Sequence, residues 1–185
     1  MTPERAEAQL FEQTLSSNVC LRAGFSPQTL AADEAERLCS QAEAQINAIA
    51  LVEDSHAEED EPIPGGATLR RLEAKLDLLI SLVAGLAHAR QTDPPVSLRW
   101  SARGACFAHP QALPPGSRGI FRLQAAVWLP EPLPLPAVVL ASQPDPDGGR
   151  LWVQFDPLTP TLAAALERHL FRLHRRAVAE RRRGG

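Results

Sequence analysis

The chain has no tyrosine, a single lysine (Lys75) and a single methionine, and its aromatics stop at six Phe and three Trp. Its three cysteines, Cys20, Cys39 and Cys106, lie far apart and none belongs to a Cys-x-x-Cys pair. An odd, scattered set argues against a disulfide framework, and a reduced, cytoplasmic compartment is the expectation. The start, Met-Thr-Pro-Glu, lacks the basic and apolar regions of a signal peptide, so none is expected. The most apolar run, Leu76–Ala87, is interrupted by Asp77 and Ser81. It falls short of the roughly 20 apolar residues of a membrane span, so membrane insertion is not expected. There is no His-Glu-x-x-His, Gly-x-Ser-x-Gly, P-loop or dinucleotide fingerprint, and the five histidines are scattered. The expectation is a protein that is not an enzyme and has no catalytic residue, no metal and no cofactor.

What remains is ample for a fold. Across 185 residues, 44% are hydrophobic and 22% charged, which excludes bulk disorder and suits one elaborated domain. The net charge of -3 does not suit a general nucleic-acid binder. Charge is polarised, however. Residues 1–62 hold 13 acids against three arginines, and residues 161–185 hold seven arginines against two acids. The two ends could attract each other or different partners.

Residues 4–13 suit a short helix, and Ser17–Arg22 reads as a short strand closed by Gly24. Ser26-Pro27 reads as an N-cap and first helical position, predicting a helix over 27–51. Its apolar face would be Ala35, Leu38, Ala42, Ile46 and Ile49. An acidic linker follows over 53–66. A second helix over 68–90 carries Leu69, Leu72, Leu76, Leu79, Val83 and Leu86, alternately three and four residues apart. That is a heptad series with its a and d positions apolar, the pattern of a coiled coil. Ile80 at e and Leu82 at g widen the stripe beyond a two-stranded seam. The predicted partner is another copy of the chain, a tetramer in preference to a dimer.

From Val96 the pattern turns to strands. Val96–Trp100 and Gly104–Ala108 flank a tight turn, and Phe121, Leu123, Ala125, Val127 and Leu129 alternate. Pro130–Pro136 reads as a rigid extended edge or loop. Ala137–Ser142 and Leu151–Phe155 are two more strands, joined across Pro144–Gly149. Short, closely spaced strands suggest a small barrel. Thr159-Pro160 starts a last helix with Leu162, Leu166, Leu170 and Leu173 inside and Arg168, Arg172, Arg175 and Arg176 elsewhere. Arg172 and Arg176 are candidates for binding a protein partner.

The segment from about Val96 to Arg176 resembles a PilZ domain. The matching strings are LRWSARGACF, LPPGSRGIFRL, AVVLAS and GRLWVQFD, followed by the helix from Pro160. The resemblance implies an α+β fold: a six-stranded antiparallel barrel with a C-terminal helix, here with an inserted helical region containing the heptad helix. The domains would be 1–25, with a possible first strand at Ser17–Arg22; 26–92, the insertion; and 93–185, the barrel and basic helix. Otherwise the barrel lacks one strand. The resemblance also implies bacterial cyclic di-GMP signalling and roles in type IV pilus function, motility or virulence. In the family, an (Asp/Asn)-x-Ser-x-x-Gly turn accepts hydrogen bonds from a guanine edge, and an Arg-x-x-x-Arg run before the first strand holds phosphate. Here Ser101 and Gly104 are kept, but Arg99 stands at the acceptor position, and Arg5 is followed four residues later by Gln9. A guanidinium has donors only. The ligand motif is therefore degenerate, and the expected protein is a non-catalytic adaptor that self-assembles and does not bind cyclic di-GMP. The alternative is a working cyclic di-GMP receptor. An arginine-tailed nucleic-acid binder is disfavoured, because Phe171 alone could act as a stacking platform there.

Overall fold

The computed structural model describes residues 1–55, 76, 93–126, 128–129, 131–145 and 148–183. Six antiparallel strands close a barrel: β1 (Ser16–Pro27), β2 (Pro95–Ser101), β3 (Gly104–His109), β4 (Arg118–Leu123), β5 (Leu133–Asp145) and β6 (Gly148–Phe155). They neighbour one another in the order β1-β2-β3-β6-β5-β4. Among the described residues three helices accompany them: α1 (Pro3–Phe11), α2 (Ala32–Ser55) and α3 (Pro160–Arg183).

Closure depends on β1. Its first half pairs with β2, from Ser16 opposite Ser101 to Arg22 opposite Pro95. Its second half pairs with β4, from Ala23 opposite Leu123 to Pro27 opposite Gly119. One strand thus serves two neighbours and leaves no open edge. The chain departs for the helical region after Pro27 and rejoins the barrel at Asp93. There Arg122 grips the carboxylate with Nε and Nη2, both at 2.7 Å, and its Nη1 donates to Ser26 Oγ at 2.9 Å. That bidentate hydrogen bonding raises the Arg122 pKa further.

Two local expectations are corrected, and one open alternative is decided. The helix predicted over 27–51 begins at Ala32 and runs to Ser55, taking in the start of the acidic segment. Ser26 and Pro27 are strand residues, opposite Ile120 and Gly119. A cap signal satisfies one donor, whereas the strand gains a ladder and barrel closure. The alternation over 121–129 stops being a strand at Leu123, where both neighbouring ladders end. Beyond it, Gln124 N donates to Arg22 O and Leu129 N to Ala126 O. The proline-rich stretch, in turn, is partly strand: Pro134 and Pro136 lie opposite Arg122 and Ile120. Pro136 O accepts from Asp156 N just past the end of β6, so that backbone edge faces away from β4. The missing N–H groups therefore take nothing from the β4 ladder.

Alternate residues fill the barrel, among them Leu98, Trp100, Phe107, Phe121, Leu135, Val153 and Phe155. Cys39, Ala42, Ile46 and Ile49 of α2 and Leu162, Leu166 and Leu170 of α3 join the same core. Thr159 caps α3 as expected, its Oγ1 accepting from Leu162 N at 3.2 Å. The heptad residues Leu69, Leu72, Leu79, Ile80, Leu82, Val83 and Leu86 lie outside the described residues. Leu76 is helical and 56% exposed in the protomer.

Candidate functional site

The turn between β2 and β3 carries the degenerate motif. Leu98 and Trp100 point into the barrel, so Arg99 and Ser101, which alternate with them along β2, point outward. On that outer face lies α1. Thr2 caps it, and Ala6, Leu10 and Phe11 pack with Ala141 and Trp152 in a small core of their own.

Each motif residue is engaged by α1. Ser101 is fully buried; its Oγ donates to Leu10 O at 2.7 Å and accepts from Arg103 N at 3.1 Å. Gly104 leaves the space that Leu10 needs. A Cβ there would collide with the Val153 carbonyl oxygen and stand 2.7 Å from Leu10 Cδ2. Arg99 Nη1 donates to Glu7 Oε1 at 2.7 Å, and Nε to Ser16 Oγ at 3.2 Å. Its guanidinium carbon sits 4.4 Å from the centre of the Phe11 ring. The other carboxylate oxygen of Glu7 accepts from Trp152 Nε1 at 2.7 Å. Arg103 Nη1 reaches Gln9 O at 3.4 Å, and Gln9 Nε2 donates to Gln154 Oε1 at 2.7 Å.

Of the predicted ligand-motif residues, Arg99, Ser101, Gly104 and Gln9 meet at this seam. Arg5 is exposed, and its guanidinium has no partner among the described residues. Glu7, Leu10 and Trp152 were not anticipated from the sequence, because no motif marks a helix that docks on a turn ninety residues away. Beside the seam an open groove of about 540 Å³ is bordered by Glu4, Arg99, Cys106 and Arg150. Burial, reinforced by the charge of Glu7, pushes the Cys106 thiol up to about 12, so it is no nucleophile near neutral pH.

Arg172 and Arg176 meet elsewhere, at the end of α2. Arg176 Nη1 lies 2.8 Å from Glu53 Oε1, and Arg172 Nε lies 3.9 Å from Glu53 Oε2. Beneath them His169 is fully buried, its ring 5.9 Å from that of Trp100, with no hydrogen bond to either nitrogen. Burial lowers its pKa to about 4; Glu53 opposes the shift, and Arg172 and Arg176 add to it. Among the described residues no cluster of His, Cys, Asp or Glu could hold a metal ion, and no helix is long and apolar enough to cross a membrane.

A barrel of this topology with a C-terminal helix and a Ser-x-x-Gly hairpin turn defines a PilZ-type module. The family model described as an atypical PilZ domain, cyclic di-GMP receptor, matches residues 46–183. A crystal structure of a pathogenic protein from Xanthomonas campestris is 41% identical over 96% of this chain and 97% of that one, with a TM-score of 0.77. That relative is described as a tetrameric PilZ domain self-assembled via a helical bundle. YcgR from Escherichia coli, solved with cyclic di-GMP, is a more distant likeness: 20% identity, 52% of this chain, 42% of that one and a TM-score of 0.42. No curated protein sequence matches. The chain belongs to the atypical PilZ domain family.

Proposed function

We propose that this protein is a non-catalytic PilZ-type adaptor that assembles through its heptad helix, works through a protein partner and does not bind cyclic di-GMP. The observation that carries the reading is the seating of α1 on the motif turn. Ser101 and Gly104 bind and admit Leu10, and Arg99 is committed to Glu7 and Phe11. A ligand at this turn would have to break the Arg99–Glu7 pair, which is open to solvent and worth about 1 kcal/mol, and would forgo charge-assisted bonds of its own worth roughly 1.5–3 kcal/mol each. It would then face guanidinium donors where guanine needs an acceptor. Together these losses move a micromolar site toward the millimolar range, at about 1.4 kcal/mol per tenfold.

Calorimetric titration of the full chain is expected to give no saturable heat at low-micromolar cyclic di-GMP. A dissociation constant near or below about 10 μM would instead establish the alternative, a working receptor, which the retained Ser101 and Gly104 favour. Tetramerisation is supported by the assembly described for the Xanthomonas relative and by the exposure of Leu76, an a position, in the single protomer. A dimer is the second choice. Roles in type IV pilus function, motility or virulence follow from the family resemblance. They are tested by whether a chain unable to assemble restores motility to a deletion strain.

A further inference from the structure

The solvent side of α3 carries a surface that the core does not use. Phe171 is 56% exposed, and Leu15, in the connection between α1 and β1, is 36% exposed. They border an open groove of about 690 Å³ together with Gln13, Thr14, Arg168 and Arg172. Arg168 and Arg175 stand three residues before and four after Phe171, which places all three on one helical face. Neither guanidinium has an ion pair or hydrogen bond among the described residues. Among the described residues Arg172 has only the 3.9 Å approach to Glu53, and its Nε makes no hydrogen bond. Among the described residues, Glu167 is the one acid along the groove. A large aromatic left in water between unpaired guanidinium groups is an apolar seat with a cationic rim.

We infer that this groove docks an acidic amphipathic segment of a partner protein. An apolar side chain of the segment seats between Leu15 and Phe171, and flanking carboxylates pair with Arg168 and Arg175. The inference rests on the adaptor reading above and gives its partner a chemical class. The chemistry favours a peptide over nucleic acid, because one aromatic is not a stacking platform. Arginine suits the role, since its planar fork meets a carboxylate with two parallel bonds.

Fluorescence anisotropy on the full-length protein tests this. The probe is a labelled twelve-residue peptide with glutamates flanking one central leucine. Saturable binding that weakens with salt is expected, and Phe171→Ser and Arg168→Glu should each reduce it about tenfold or more. A peptide with serine in place of the leucine should bind similarly weakly. Circular dichroism and sedimentation should be unchanged in both variants, whose altered side chains are exposed. Equal binding by wild type and Phe171→Ser, or no binding of the probe, would overturn the inference. So would loss of assembly in either variant, or tighter binding by a peptide of residues 53–62 of this chain, since both point to a second copy as occupant. Tighter binding by a single-stranded oligonucleotide would also overturn it. Cyclic di-GMP calorimetry on the same preparation reads the adaptor proposal separately: heat from the nucleotide with intact peptide binding would sink that proposal and leave the groove standing.

Discussion

Gly104 matters for the side chain it lacks. Its neighbours are the Val153 backbone and Leu10, and the backbone cannot yield as a flexible side chain would. Gly104→Ala is expected to destabilise the chain by about 1–3 kcal/mol, seen as a lower urea midpoint with an unchanged slope. His169 is the other residue whose surroundings set its behaviour. An ordinary histidine titrates near 6.5, while burial holds this one near 4. Between those values the unfolded chain binds the proton and the folded chain does not, so stability falls as pH falls from about 6.5 to about 4. At about 1.36 kcal/mol per pH unit the loss is about 3 kcal/mol at the acid end. His169→Leu should flatten this part of the profile in denaturant titrations at pH 7 and pH 4.5. An unchanged slope would mean the ring is solvated and titrates normally.

Of the elements, α1 is the most consequential and the least able to stand alone. Nine residues are too few to hold a helix in water, so its stability comes from docking. Leu10, fully buried, supplies the apolar contact, and Glu7, half-exposed, supplies the polar clasp. Leu10→Ala should cost about 2–5 kcal/mol and raise amide exchange across Pro3–Phe11, leaving the barrel strands protected. Glu7→Gln should cost only about 1 kcal/mol, because the ion pair with Arg99 is open to solvent. Equal exchange in wild type and Leu10→Ala would mean that α1 does not depend on this seat. The α2 and α3 helices differ in kind: their apolar faces complete the barrel core itself.

At the scale of the whole molecule, the closed barrel shares its chain with a heptad segment whose sequence carries a wider apolar stripe than a lone helix should expose. Leu79→Lys places a charge in the predicted seam, where burial without a partner costs several kcal/mol. Sedimentation should then show protomer mass in place of the assembly, with the barrel still folded by circular dichroism. A wild-type chain that sediments as a monomer at tens of micromolar would overturn self-assembly through the heptad segment. Polarised charge is partly consumed within the protomer, since Glu53 at the end of α2 meets Arg172 and Arg176 on α3. Among the described residues Arg168 and Arg175 are left over from that neutralisation and stand open to a partner.

Local periodicity and turn chemistry were enough to place most elements. Alternation marked the β2–β3 hairpin and β6, and Thr159-Pro160 marked the start of α3, because each signal acts within a few residues. The heptad spacing, the retained Ser101 and Gly104, and the substituted Arg99 were likewise legible, being matters of residue identity and interval. Where a distant partner outweighed a local preference, the sequence misled. Ser26-Pro27 signals a helix start yet joins β1, because pairing with β4 closes the barrel. Pro134 and Pro136 read as either an extended edge or a loop, and pairing with β4 decides for strand, because that ladder does not use their missing donors. Tertiary structure alone decided that α1 covers the motif, that Ser101 binds the Leu10 carbonyl and that Glu7 occupies Arg99. Those contacts join residues some ninety positions apart in the chain, and no local pattern encodes which surface a short amphipathic helix will find.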